Sequence, residues 1–494
     1  MEASELNSDR VLFKNANVFD PYTGNWKKKD LYVESGIVRP SFCCKEPQEV
    51  VDLKYSWVIP GFTDSHCHLI GLGSKLRSLD LSRYNDLEGM FSEIKAWIDK
   101  DKDDKRDFYL FRGWDDQRLG RSPTKHDIKK WLGENVKIVL VRYCGHVGVA
   151  SESLCRKFGI TDPDGMVSED ELNGILDSFP RTKTELKQDF IEGVKEALKY
   201  GVTCVHSEDY HRCGLNDLIE LLKDQTMIRV FEKLHLNLDE IHGLKNIFGV
   251  LSSFSTVGSV KLYIDGSLGG RTAYLSEAYE DAPTKGRLNI TPKELEKYAL
   301  LANKLGVQLS LHAIGDAALD VALNTLWKYP QRVKSRLIHL QVTRKDQLEK
   351  LPHLNAHFSV QPHFWASDLE MAKKRIGKRM KTSYAFRKMY MWGARRMSFS
   401  SDAPVEPVDP RFAIESAMKM GFSWEESVAL HTMTAAEVAG PYFSKRLGRL
   451  EPGYLADFVV YEKDPRSLPE PSMVFVNGKI PTLIKGGDRS VGSR

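Results

Sequence analysis

VIPGFTDSHCHL, residues 58–69, decides the fold. The run WVIPGF ahead of the polar residues is apolar and reads as a buried strand. Side chains alternate faces along a strand, so His66 and His68 point one way and Cys67 the other. Two imidazoles one pleat apart can reach a single metal ion, which zinc accepts at about 2.0–2.1 Å. Taken alone, the pair reads equally well as two histidines satisfied by local hydrogen bonds.

The pattern continues down the chain. His312 closes the apolar run VQLSLHA, His339 closes SRLIHLQ and Asp402 closes MSFSSDAP. FYLFRGW, VTCVHSED, VGSVKLYIDG and HFSVQPH are further strand candidates, and helical stretches alternate with them. Such alternation predicts βα units around a parallel sheet, here an α/β chain with a (β/α)8 TIM-type barrel. In a barrel the C-terminal strand ends converge on one mouth, and catalytic residues come from several of them. A lone histidine at a strand end is a tolerated polar residue; ligand-type residues at several strand ends are a constellation. Histidine with carboxylate suits Zn²⁺, Mn²⁺ or Fe²⁺ better than Ca²⁺ or Mg²⁺.

Outward from the barrel, residues 10–60 alternate apolar and polar side chains between Gly, Pro and Asn breaks, and ADFVVYEKDP and SMVFVNGK read as strands too. ELEKYALLANKLG carries leucines at helical spacing and a closing Gly306. Ser423-Trp424-Glu425-Glu426 is a capping-box start for a helix running to Gly440. Residues 114–185 do not fit one βα unit and are expected to be an insertion over the barrel mouth.

The chain of 494 residues is long enough for a barrel plus a second module. Its 41% hydrophobic and 28% charged residues are ordinary for a globular protein. A net charge of +4 gives no reason to expect nucleic acid or an acidic membrane as partner. The basic stretch KKRIGKRMK at 373–381 reads as a solvated lid or substrate gate. Seven cysteines, an odd count without a CxxC pair, exclude a disulfide framework and a thiolate zinc site. They suit a reducing, cytoplasmic compartment. MEASELNSDR lacks the basic start and apolar core of a signal peptide. No apolar run approaches the ~18–20 residues of a membrane span.

Lys261, in VGSVKLYIDG, is the odd member of the constellation. Inside a barrel a lysine must be paired or neutralised. Either it makes a salt bridge to Asp265, or it adds CO2 to become a carbamate, an oxygen-donor anion able to bridge two metals.

Taken together these residues resemble the amidohydrolase superfamily, in its branch of YtcJ-type metal-dependent hydrolases. The matching stretches are VIPGFTDSHCHL at 58–69, GWDDQRLGRSPTKHDI at 113–128, GVTCVHSED at 201–209 and KLYIDGSLGGRTA at 261–273. They continue through LHAIGDAALD at 311–320, RLIHLQ at 336–341, VQPHF at 360–364, SSDAPVEPVDP at 400–410 and LGRLEPGYLADFVVYEKDP at 447–465. The resemblance implies a small β-sandwich built from both chain ends (1–60 and 445–494) and a barrel over 61–444. It implies His66 and His68 as ligands of a more buried metal, and Lys261, carboxylated, as the bridge to a second. It implies His312 and His339 as ligands of the more exposed metal, and Asp402 as a ligand of the buried one and proton shuttle. The cofactors implied are two divalent ions, taken as zinc, and a CO2-derived carbamate. The substrate implied is a small molecule, and a homodimer is the default assembly.

The loop around His146 departs from the family pattern, running GHVGVASESL without the usual asparagine. His146, His206 (expected near a third strand end), His363 and Arg271 are substrate-contact candidates; the alternative for each histidine is a structural role, and for Arg271 a loop salt bridge, which ranks first. The chemistry expected is attack by a metal-activated hydroxide on an amide, cyclic amide or amidine, with Asp402 as general base and then general acid. A mononuclear deaminase or an ester or lactone hydrolase uses the same fold, and a barrel that binds without reacting is the alternative of another class.

Overall fold

The computed structural model describes residues 8–40, 45–100, 107–143, 145, 147–243 and 245–481. The chain forms two compact units. One draws on Met1–Leu69, Val194–Asp209 and Ile219–Arg494, and the other on Ile70–Gly193 and Tyr210–Leu218.

The first unit holds an α/β barrel. Its eight strands, in sheet order, are Phe62–Cys67, Val202–Ser207, Arg229–Leu234, Ser255–Tyr263, Gln308–Ala313, Ser335–His339, Ala356–Val360 and Met397–Phe399. Every ladder between them is parallel. The ring is drawn together where the Asp402 amide donates to His66 O at 2.8 Å and the His68 amide to Ala403 O at 2.7 Å. Most strand residues are buried, as in a sheet with both faces covered. Helices follow the strands; Pro292–Leu305 starts on a Thr291 cap and stops at Gly306, which adopts φ +70°.

Two expectations about strands need correction. FYLFRGW is not a barrel strand: Tyr109–Trp114 belongs to a separate four-stranded sheet. The barrel takes Arg229–Leu234 in its place, so His206 lies on the second strand and not near the third. The reason is compositional. RVFEKL carries three charged residues in six and reads as surface, yet Arg229, Glu232 and Lys233 are all buried.

The helix expected from Ser423 to Gly440 is also interrupted. Its capping box is present, but the helix stops at Leu430 and restarts over Met433–Glu437. The break frees His431 O to accept the Thr63 amide at 2.7 Å, which pins the first barrel strand.

Both chain ends build a second sheet in this unit. Its path is Met473–Phe475, Phe458–Tyr461, Trp57–Pro60, Arg10–Asp20, Asn25–Glu34 and Ile37–Arg39, with Glu49–Asp52 also paired to Arg10–Asp20. Alternation along Arg10–Asp20 sends Phe13 inward, where it meets Phe458 and Phe475 edge-on, each at 5.1 Å. Trp57–Pro60 leads through Gly61 directly into the first barrel strand. A Cβ at Gly61 would sit 2.1 Å from Thr203 Oγ1, so only glycine fits there.

The second unit carries the sheet Met166–Ser168, Val147–Ala150, Ile138–Arg142 and Tyr109–Trp114. The strand Ile138–Arg142 sends Ile138 and Leu140 into one apolar cluster with Phe91 and Trp114, and Val139 and Val141 into another with Leu154 and Val167. The insertion expected at about 114–185 falls inside this larger unit.

Candidate metal centre

The first strand supplies His66 and ends just before His68. Asp64 holds this segment: it accepts the His66 amide at 3.1 Å and the Ser401 amide, so strands one and eight share one carboxylate. Burial pushes Asp64 up to about 6 despite those hydrogen bonds. Strand four supplies Lys261, strand five His312, strand six His339, and Asp402 follows strand eight. Register sets Lys261 beside Ser310, Tyr263 beside His312 and Ala313 beside His339.

These side chains converge. The ligand atoms of His66, His339 and Asp402 all lie within 4.8 Å of one another, and all three residues are buried. His66 Nε2 is 3.2 Å from Asp402 Oδ1, and His68 Nε2 is 3.5 Å from the same oxygen. The rings of His312 and His339 are 4.4 Å apart. This trio therefore crosses the division into two ligand sets that the resemblance implies. Two of its members hold strained backbone, His339 at φ +80° and Asp402 at φ +60°.

Neighbouring groups orient the imidazoles. His68 Nδ1 lies 2.7 Å from Glu208 O, which turns Nε2 toward Asp402. His312 Nε2 is 3.0 Å from Gly266 O. His339 Nδ1 is 2.9 Å from Gln361 Oε1.

Burial, reinforced by the Lys261 charge, holds His66 well below its ordinary range and His312 down at about 3. Burial and then His312 hold His339 well below as well. These rings stay neutral and keep a lone pair for a metal. For His68 burial pulls down, but the hydrogen bond to Asp402 and the charge of Glu208 outweigh it and raise the group.

Both ring nitrogens of His66 and Nζ of Lys261 are buried and make no hydrogen bond. An unsatisfied buried polar group costs about 1–3 kcal/mol, so such atoms call for a partner. Neutral imidazoles with a carboxylate are what zinc-class ions accept, and the donor set fits a divalent ion.

Lys261 does not pair with Asp265. That carboxylate instead accepts the amides of Tyr274 at 2.9 Å, Ile314 at 3.1 Å and Gly315 at 2.8 Å, and burial pushes it up to about 7. The nearest acid to Lys261 is Glu208, with Oε2 3.9 Å from Nζ and both side chains fully buried. Glu208 also accepts the Tyr263 hydroxyl. Sequence reading missed Glu208, Tyr263 and Gln361. The signal for Glu208 was an acid directly after the strand end in VTCVHSED; Gln361, in VQPHF, carried none.

His206, His363 and Arg271 have partners outside the trio. His206 is buried, with Nδ1 3.1 Å from Arg336 Nη1 and its carbonyl accepting Lys233 Nζ. His363 pairs with Glu406 at 3.2 Å and faces Phe412 at 5.1 Å. Arg271 forms a loop salt bridge to Asp281 at 3.1 Å. His146 lies outside the described residues. In the basic stretch, Arg375 also binds Asp281, and Arg379 donates to the carbonyls of Glu277 and Ala278, so this segment is tied to the loop after strand four. Among the described residues no helix is long and apolar enough to cross a membrane.

The chain matches the model of the Amidohydrolase family over residues 49–481. It is 29% identical to a putative amidohydrolase YtcJ of Bacillus subtilis, over 92% of this chain and 94% of that one. It is 22% identical to an N-substituted formamide deformylase of Arthrobacter pascens, over 84% of this chain and 85% of that one. The crystal structure of an uncharacterized metal-dependent hydrolase from Pyrococcus horikoshii superposes with a TM-score of 0.80 at 26% identity, over 92% of this chain and 98% of that one. A match that takes in the barrel, most of the terminal sheet and every residue of the histidine–aspartate cluster makes this chain a member of the amidohydrolase family.

Proposed function

We propose that the chain hydrolyses a carbon–nitrogen bond of a small amide, cyclic amide or amidine, with His66, His68, Lys261, His312, His339 and Asp402 holding two divalent ions of the zinc class. One observation carries the reading: His66, His339 and Asp402 converge within 4.8 Å around imidazole nitrogens of His66 that have no other partner. Bound there, such ions supply Lewis-acid polarisation of the scissile group and a water of lowered pKa.

The chain's own residues do the rest. Asp402 Oδ1, between His66 and His68, is placed to take a proton from the attacking water and return it to the leaving amine. The neutral rings of His66, His312 and His339 keep their lone pairs available at ordinary pH. Lys261 reacts with CO2 only as a free amine. Burial, opposed by Glu208 and Asp402, lowers its pKa and so favours that form. Glu208 is the counter-charge while Lys261 remains an ammonium.

The likeness to an N-substituted formamide deformylase puts N-substituted formamides first in a substrate screen. Metal-reconstituted enzyme should hydrolyse members of a panel of N-substituted formamides, amides and cyclic amides. Asp402→Asn should lower kcat/KM on the order of 10²–10⁴-fold. Turnover confined to esters or lactones, or full activity in Asp402→Asn, would contradict the assignment.

A second reading has one observation behind it. The trio His66, His339 and Asp402 offers three ligand atoms to one ion, as a mononuclear deaminase would use. Metal stoichiometry separates the two.

A further inference from the structure

We propose that Gln361 is a positioning residue that fixes the tautomer and rotation of His339, so that His339 presents Nε2 to the metal centre. The inference rests on the reading of His339 as a metal ligand.

His339 cannot take its direction from an ordinary strand end, because its backbone is left-handed at φ +80°. Its ring needs outside support. One face stacks on Phe364, nearly parallel at 6.2 Å and 4°. The ring of His312 stands against it at 4.4 Å and 70°. Stacking sets the plane of a ring but does not choose between its two nitrogens. A hydrogen bond does, and Nδ1 has one, to Gln361 Oε1 at 2.9 Å.

Gln361 is fully buried and directly follows strand seven. Its amide orientation is set by its other end. Nε2 donates to Ser400 Oγ at 2.8 Å. Ser400 Oγ is available as acceptor because its own proton goes to Val360 O at 3.3 Å. The sequence of donors therefore runs from His339 Nδ1 to Gln361 Oε1, and from Gln361 Nε2 through Ser400 Oγ to Val360 O. With Nδ1 protonated, Nε2 is left with the lone pair.

The same strand tip serves the other members of the trio. Ser401 hydrogen-bonds Asp64, which accepts the His66 amide, and Asp402 follows it. Ser400, Ser401 and Asp402 thus tie His339, His66 and the carboxylate to one three-residue segment. Gln361 is the link that brings in the ligand from strand six. Partners that fix the far nitrogen of a metal-binding histidine typically change metal affinity by about 10–100-fold when removed.

The test is Zn²⁺ affinity of the chelator-stripped protein, measured by competition with a chromophoric chelator, for wild type, Gln361→Leu, Gln361→Glu and His339→Ala. Gln361→Leu should bind one Zn²⁺ about 10–100-fold more weakly. Gln361→Glu keeps both the side-chain size and an acceptor for Nδ1–H and should bind Zn²⁺ more tightly than Gln361→Leu, and the ring tautomer separates orientation from packing. In ¹⁵N-histidine spectra of the stripped protein, His339 should be the Nδ1–H tautomer in wild type and Gln361→Glu, and a mixture in Gln361→Leu. Wild-type affinity in Gln361→Leu, or loss in Gln361→Glu equal to that in Gln361→Leu, would overturn the inference. If His339→Ala weakens Zn²⁺ binding while Gln361→Leu does not, only the role of Gln361 falls. If His339→Ala leaves binding unchanged, the ligand assignment falls with it.

Discussion

His339 and Asp402, the proposed ligands from strand six and after strand eight, share an unusual backbone. Both sit at positive φ, a conformation that costs a non-glycine residue on the order of 1–3 kcal/mol. Their neighbours hold them there through Gln361 on one side and the Asp64–Ser401 hydrogen bonds on the other. Histidines that are buried neutral make a further demand. His431 is buried beneath the first strand, with Nδ1 3.3 Å from Thr63 O, and burial holds it down at about 4. Between its unfolded value of 6.5 and the folded value of about 4, the unfolded chain binds a proton that the folded chain refuses. Stability from this group is therefore complete above that window and is lost as pH falls through it. Urea midpoints in EDTA should show a smaller gap between wild type and His431→Gln at about pH 5 than at about pH 7.5, by about 2 kcal/mol. Parallel pH profiles for the two proteins would contradict this.

At the scale of elements, the third barrel strand explains both what the sequence disclosed and what it hid. Strand ends bearing His66, His312, His339 and Asp402 were legible because an apolar run finishing in a ligand-type residue is a local signal. Arg229–Leu234 was not legible, because Arg229 and Lys233 find their partners, Asp457 and the His206 carbonyl, elsewhere in the chain. Arg229 makes a bidentate pair with Asp457, at 2.9 and 3.1 Å, both side chains being almost wholly buried. The pair locks the barrel strand to the residue just before the terminal strand Phe458–Tyr461. Arg229→Ala leaves Asp457 as an unpaired buried charge and should cost about 3–5 kcal/mol in chemical denaturation. Arg229→Ala with Asp457→Leu should recover part of that loss, and a single-variant cost below about 1 kcal/mol would show that the pair does not hold the strand. FYLFRGW failed for a related reason. Nothing local distinguishes a barrel strand from one in another sheet, and Tyr109–Trp114 pairs with Ile138–Arg142 in the second unit.

The candidate site belongs to the barrel as a whole, since its members come from the ends of five barrel strands. The residues that present a donor could be found one by one in the sequence. Those that act through them, such as Gln361 on His339 or Glu208 on Lys261, could not, because their partners meet only when strands one, two, four, six and seven close on each other. Closure also buries the His66 nitrogens and the Lys261 amine without a hydrogen bond, and sets His66 Nε2 3.2 Å from Asp402 Oδ1. The proposed centre holds two divalent ions. The direct measurement is bound metal per chain by elemental analysis, for wild type and Lys261→Ala, both prepared with bicarbonate. About two zinc-class ions are expected in wild type and fewer in Lys261→Ala. About one ion in both proteins would contradict the bridged pair, and none in either after reconstitution would contradict the metal centre itself.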